Sequence, residues 1–194
     1  MRSTICPTHL HFHDLASHFL ALTAGDRFLR FGWVMTDVDI VAYVESLLQS
    51  IGNVFVVAEP APDIAGVLHV DFTSGGADLG LSVAAWARGK GIGTLLLERA
   101  EFLANSRGAS TLFVRNLNFN TALRRLARHA GMQIACAPGV GSNQLDALDP
   151  SEWVAGRGAA AGSITLADHS LRSQWSHAPC DDPPCGGVLQ PMPI

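Results

Sequence analysis

The chain has 194 residues, 48% of them hydrophobic and 15% charged, enough apolar mass for one domain with a substantial core. No run approaches the roughly 18 apolar residues of a membrane span, the short apolar stretch at 19–22 lacks a basic leader and so suggests no signal peptide, and the net charge of −4 says little about partners. Cys6, Cys136, Cys180 and Cys185 show no disulfide-framework spacing, which makes a reduced, cytoplasmic setting the expectation.

Residues 4–7 read as a short first strand. His9, His11 and His13 alternate in HLHFHD, but a helical pattern of Leu15, Phe19 and Leu22 begins at Asp14 and breaks the alternation, so surface and capping roles outweigh a metal site. Gly25 is expected to end that helix, with DRFLRFG at 26–32 a compact aromatic and basic element. A second amphipathic helix follows, capped by Thr36 or Asp37, burying Ile40, Val41, Val44, Leu47, Leu48 and Ile51, and closed by Gly52. Tyr43, the single tyrosine, lies on it and reads as packing.

Residues 53–59 and 65–72 read as buried-type strands joined by the turn at 60–63, an antiparallel hairpin with His69 and Asp71 on one face. The turn TSGG at 73–76 leads to a third strand at 77–83. A helix from Gly91 to about Ser106 carries Ile92, Leu95, Leu96, Ala100 and Leu103 on one face, and a fourth strand follows at 110–115. Asn120 or Thr121 can cap a helix that runs to Ala130, buries Ala122, Leu123, Leu126 and Ala127, and closes at Gly131. Strands at 132–137 and 143–148, separated by the turn at 138–141, complete the pattern.

From about Asp149 the character changes: the apolar spacing loses its period and the chain ends in PCDDPPCGGVLQPMPI. Residues 150–194 are therefore expected to be a partly disordered extension with one short helix around 165–175, and residues 1–149 the folded domain. His177, Cys180 and Cys185 fit no standard metal-site spacing. The sum is an α/β (α+β) arrangement, a mixed, mostly antiparallel central sheet flanked by helices.

Residues 79–93, LGLSVAAWARGKGIG, organise the chain. A strand empties through three alternate glycines, Gly89, Gly91 and Gly93, into a helix start, where freed backbone amides and the positive end of the helix dipole converge on one place. Eight of the thirteen basic residues lie between Arg88 and Arg128, as expected for a discrete anion site. A P-loop would need Lys-Ser/Thr after the last glycine, whereas Lys90 sits inside the glycines; a dinucleotide fingerprint would need an acid at the end of the next strand, where Arg115 and Asn116 stand instead.

The residues resemble the GNAT superfamily of N-acetyltransferases. Its acyl-CoA signature, Arg/Gln-x-x-Gly-x-Gly/Ala between a strand and a helix, is matched by Arg88-Gly89-Lys90-Gly91-Ile92-Gly93. Its second element, an Asn before an Ala/Leu-rich helix that ends in Gly and a hydrophobic residue, is matched by Asn120 through Gly131-Met132. The resemblance covers residues 1–149. It is nearest to bacterial domains related to protein-lysine acetyltransferases, which carry a segment like Leu29-Arg30-Phe31 after the first helix and an acid where Asp78 stands.

What the resemblance implies is an acetyl-CoA-dependent N-acetyltransferase. Amides of Gly89, Lys90, Gly91, Ile92, Gly93 and Thr94, with the charge of Arg88 and Lys90, would hold the pyrophosphate. The pantetheine arm would run along the backbone of Leu81, Ser82 and Val83, Asn120 would bond it from the other side, and Arg124 or Arg128 would reach the 3′-phosphate. The acceptor is an amine, small molecule or protein lysine, with no metal, nucleic acid or membrane involved and a homodimer left open. Asp78 is the candidate base, acting through water, with His69 and Asp71 as alternatives. The usual tyrosine position is Ala127, which leaves the general acid unassigned and keeps a catalytically inactive CoA-binding regulatory domain as the rival reading.

Overall fold

Two short Thr-x-x-Asp sequences start two of the three α-helices that precede the sheet. The computed structural model describes residues 4–49, 53–58, 63–73, 76–136 and 164–175, with α1 at Phe12–Leu20, α2 at Ala24–Phe31 and α3 at Asp37–Gln49. Thr23 Oγ1 accepts the Asp26 amide at 3.2 Å. Thr36 Oγ1 likewise accepts the Asp39 amide, and Asp39 Oδ2 accepts the Thr36 amide at 3.3 Å, a reciprocal capping box. The first of these caps corrects the expected role of Gly25: it lies in the first turn of a new helix, which ends at Gly32 with φ +92°.

The sheet contains β1 (Val54–Ala58), β2 (Ile64–Thr73), β3 (Gly76–Val83), β4 (Thr111–Val114), β5 (Gln133–Ala135) and β6 (Thr165–Asp168), in the order β1-β2-β3-β4-β6-β5. It is mixed, as expected: β1, β2 and β3 form the long antiparallel ladders, while β3–β4, β4–β6 and β5–β6 pair in parallel. The helices α4 (Ile92–Ser106) and α5 (Thr121–His129) cover one face, burying Leu68, Val70, Leu79, Leu96, Leu112 and Ala127. On the other face α1–α3 bury Leu15, Phe19, Ile40 and Val44 against Val54, Val56 and Val67. Residues 4–7 contribute only an isolated bridge, Ile5 to Val56, rather than a strand.

The largest departure from the sequence reading is β6. Residues 165–168 were expected in a helix outside the domain; they form a strand between β4 and β5, paired from Thr111↔Thr165 to Val114↔Asp168 on one side and from Gln133↔Thr165 to Ala135↔Ala167 on the other. Helical structure starts only afterwards, in a 3-10 turn at His169–Leu171 and the short α6 at Arg172–Trp175. Ile164, Leu166, Ala167 and Leu171 are all buried, so 164–175 belong to the folded unit. Asp168, also buried, accepts the Leu117 amide at 2.8 Å and the Ser170 amide at 3.0 Å, tying the end of β6 to the loop before α5.

The expected turns at 60–63 and 138–141, the strand at 143–148, the helix end at Ile51 and Gly52, and His177, Cys180 and Cys185 lie outside the described residues. Among the described residues no helix is long and apolar enough to cross a membrane.

Candidate active site

Strands β3 and β4 pair only at Ala77↔Leu112 and Asp78↔Phe113. Beyond Asp78, β3 stays paired to β2 up to Val83↔Gly66, while its other edge has no strand beside it among the described residues. Backbone N–H and C=O groups along that edge need partners that the sheet does not supply. The strands part into a cleft of about 680 Å3, a volume in the range of small-molecule sites.

The cleft is lined by the backbone segment Leu81, Ser82 and Val83, by Arg88, Gly89, Gly91, Ile92, Gly93 and Thr94, and by Asn120, the positions expected from the sequence. A 3-10 turn at Ala85–Ala87 carries the chain from β3 into the glycine loop. Gly89 and Gly91 have φ of +72° and +81°, values that suit glycine, and a Cβ on either would meet nothing within 4 Å. Gly91 is the N-cap of α4; it offers no side chain to the first-turn amides, and that turn carries no acid. The N-terminus of α4 therefore meets the cleft with open donors and an uncompensated dipole. Gly93 serves packing instead: a Cβ there would lie 2.9 Å from Leu126 Cδ1, where α4 crosses α5.

Asn120 caps α5 through Oδ1, which accepts the Leu123 amide at 3.0 Å, and it lines the cleft. Arg88 donates through Nε to Val83 O at 3.3 Å and pairs through Nη2 with Asp26 Oδ1 at 2.8 Å, so α2 is latched to the glycine loop. Burial pushes the Asp26 carboxyl up, but the Thr23 hydroxyl and the Arg88 guanidinium outweigh it and hold it below the usual range.

Several expected positions fall elsewhere. Lys90 does not line the cleft; its Nζ lies 5.1 Å from the centroid of the Trp86 ring. Among the α5 arginines, Arg125 lines the cleft rather than Arg124 or Arg128, because Arg124 is on the buried side of the helix. Ala122, expected in the core, is exposed on the cleft wall. Asp78 stands where β3 and β4 still pair, below the lined region. Its Oδ2 accepts from Arg172 Nη1, and His169 Nε2 is 3.6 Å from Oδ1. Arg172 also donates to Thr73 Oγ1, and the Asp78 side chain is 34% exposed. Burial and the nearby Arg115 hold His169 below its ordinary pKa, so Arg172 is the main counter-charge.

Sequence reasoning missed the groups that α1 and α2 bring to the sheet. Alternation puts Asp78, Gly80 and Ser82 on one face of β3. His18, buried on α1, meets Ser82 Oγ through Nε2 at 2.8 Å and Ile64 O through Nδ1 at 3.0 Å. The carbonyl can only accept, so Nδ1 carries a proton. Arg30 of α2 lines the cleft and lies across Gly80, whose Cβ would be only 2.1 Å from its Nη2; Arg30 Nη2 donates to Tyr43 Oη at 2.6 Å. The one sequence signal for this contact is a glycine in the middle of a strand.

Burial, outweighing the bond to Ile64 and aided by Arg30, lowers the His18 pKa from 6.5 to about 4. Between those values the unfolded chain takes up a proton that the native state refuses, so stability is complete above pH 6.5 and falls as pH drops toward 4. Urea unfolding at pH 7 and pH 4.5 should show the difference shrink by about 2–3 kcal/mol in His18→Gln relative to the parent chain. An unchanged difference would show that His18 is protonated in the native state.

The sequence model of the Acetyltransferase (GNAT) family matches residues 11–132. No curated protein matches the chain in sequence. Among solved structures, an acetyltransferase of the GNAT family from Staphylococcus aureus Mu50 is similar at TM-score 0.55 and 12% identity, covering 77% of this chain and 93% of that one. The Salmonella typhimurium yncA structure with its cofactor acetyl-CoA is similar at TM-score 0.50 and 17% identity, covering 69% and 80%. AAC(6')-Iy in complex with a bisubstrate analogue, CoA-S-monomethyl-acetylneamine, is similar at TM-score 0.50 and 15% identity, covering 68% and 90%. At these identities the structures speak for the fold, and the family match covers well over half of the chain. With the glycine loop and the parted strands in place, the chain belongs to the GNAT acetyltransferase family.

Proposed function

We propose that the protein is a cytoplasmic N-acetyltransferase that moves an acetyl group from acetyl-CoA to a primary amine by direct attack in a ternary complex. The observation that carries this reading is the free edge of β3 running from the β3–β4 divergence straight into the open amides of the glycine loop. An extended pantetheine arm fits such an edge as an added strand would, and a pyrophosphate fits the loop. Two of the similar structures, yncA with acetyl-CoA and AAC(6')-Iy with a CoA bisubstrate analogue, support it further.

The bond changes are simple. The neutral amine attacks the thioester carbonyl, a C–N bond forms as the C–S bond breaks, and CoA leaves as a thiolate while the nitrogen gives up a proton. A β3 amide near Leu81 would stabilise the oxyanion. A thiol with a pKa near the 8.5 of cysteine is a tolerable leaving group without a general acid, which suits a site where the usual tyrosine position is the buried Ala127. Asp78 is the proposed proton acceptor, reached through water from the cleft; the partial exposure of its side chain supports this role.

Release of free thiol from acetyl-CoA over a panel of amines and lysine peptides tests the reading. Turnover on at least one amine is expected, with Asp78→Asn lowering kcat about 100-fold or more while leaving CoA affinity within twofold. Tight CoA binding with no turnover on any amine would favour the regulatory reading, for which the buried Ala127 is the observation. A kcat within threefold of the parent in Asp78→Asn would remove Asp78 as the base.

A further inference from the structure

The acceptor side of the cleft contains a cation that the donor does not account for. Arg30 is half-buried between Phe31, Tyr43 and the strand, its guanidinium carbon 4.9 Å and 5.6 Å from the two ring centroids. Among the described residues its one hydrogen bond goes to the Tyr43 hydroxyl and no carboxylate pairs with it. The neighbouring rings do not share its charge out, because burial lowers both His18 and His69 to about 4 and both are neutral at pH 7. A half-desolvated charge without a counter-ion is costly, and Gly80 is the residue that lets it lie flat on β3. An anion on the cleft side would offset that cost.

The same strand face also sets a distance. Asp78 and Gly80 are two residues apart, which at the rise of an antiparallel strand is about 7 Å. The negative end at Asp78 and the positive end at Arg30, which lies over Gly80, thus stand at successive positions of one strand face, the face turned toward α1–α3 rather than toward α4, whose N-terminus would hold the donor.

We infer that the acceptor is a small α-amino acid or close analogue, its carboxylate held by Arg30 and its amine directed toward Asp78. This rests on the N-acetyltransferase reading above and narrows it: a lysine side chain within a protein has no carboxylate beside its amine, and the site would not favour it. Gly80 is then a specificity-determining position, because it places the guanidinium.

The test uses the full-length protein with saturating acetyl-CoA. The acceptors are the common α-amino acids, each beside its own carboxamide, with isoamylamine and an N-terminally blocked lysine peptide as amines lacking the carboxylate. The expected result is at least one amino acid whose kcat/KM exceeds that of its carboxamide about 10–100-fold, the range for a lost charge-assisted hydrogen bond. Arg30→Gln should abolish that preference. If Arg30→Gln does not fold, Gly80→Ala displaces the guanidinium with a single methyl and should do the same. Carboxamides, isoamylamine or the peptide acetylated as well as the amino acids would overturn the inference, as would a carboxylate preference that survives both substitutions. Absence of turnover on every acceptor would count against the N-acetyltransferase reading itself. Calorimetry on the CoA-saturated protein would then decide the inference alone: tighter binding of an amino acid than of its carboxamide supports Arg30 as a carboxylate site, and equal or undetectable binding of both overturns it.

Discussion

Gly91→Ala should weaken CoA binding about 10–100-fold while costing the fold only about 1–2 kcal/mol. The stability cost follows from backbone conformation alone: at φ +81° a Cβ is strained, yet it would meet no atom within 4 Å. The affinity loss has another origin. Gly91 lines the cleft and is the N-cap of α4, so any shift of its backbone misdirects amides aimed at the pyrophosphate, each worth about 1.5–3 kcal/mol to a charged acceptor. Gly108→Ala is the matched control. It sits just beyond the far end of α4 with φ +70° and equally open space, so it carries the same strain at the opposite end of the helix from the loop. Calorimetric titration with CoA should separate the two variants clearly. Equal affinity in Gly91→Ala, Gly108→Ala and the parent would mean that the loop does not hold the nucleotide.

Truncation before residue 164 should prevent cooperative folding of the rest. Strand β6 fills the position between β4 and β5, so its removal leaves two strands without their shared partner and exposes surface now covered by Ile164, Leu166 and Leu171. Each of those side chains contributes about 1.5–3 kcal/mol by burial, against a total stability for a domain of about 5–15 kcal/mol. The Asp168 bond to the Leu117 amide goes as well, freeing the loop that leads to Asn120. Leu166→Ala, at 0% exposure, tests the same point with one substitution and should cost about 2–5 kcal/mol in urea unfolding. A truncated chain with an unchanged unfolding midpoint would show that the sheet closes without β6.

The two halves of the site differed in how far sequence alone could reach them. The proposed donor half is local: a strand, glycines that need positive φ, and a helix start lie within residues 79–94, and each feature has a signature at fixed spacing. Asn120 was legible for the same reason, since a capping side chain acts three residues away. The acceptor half is built by contacts that span the chain. His18 meets Ser82 across 64 positions, and Arg172 meets Asp78 across 94. Nothing in either neighbourhood marks its partner. Arg30 was noticed as part of Leu29-Arg30-Phe31, but only the fold puts it over Gly80.

Strand β6 was hidden for a different physical reason. Paired in parallel on both sides and buried, Thr165-Leu166-Ala167-Asp168 shows no polar alternation, and four residues are too few to separate a central strand from the helical turn that follows. The glycine and proline content around it supplied the rest of the disguise. Gly25 misled in a simpler way: it was read as a stop signal, and the Thr23–Asp26 cap around it is a start signal.

The position of the donor decides the proposed function, and a crystal structure of the complex with acetyl-CoA measures it directly. It should show the pyrophosphate oxygens within hydrogen-bond distance of amides between Gly89 and Thr94, the pantetheine along the free edge of β3 at Leu81–Val83, and the thioester at the point where β3 and β4 part. Acetyl-CoA bound elsewhere, or bound with its pyrophosphate away from the glycine loop, would contradict it.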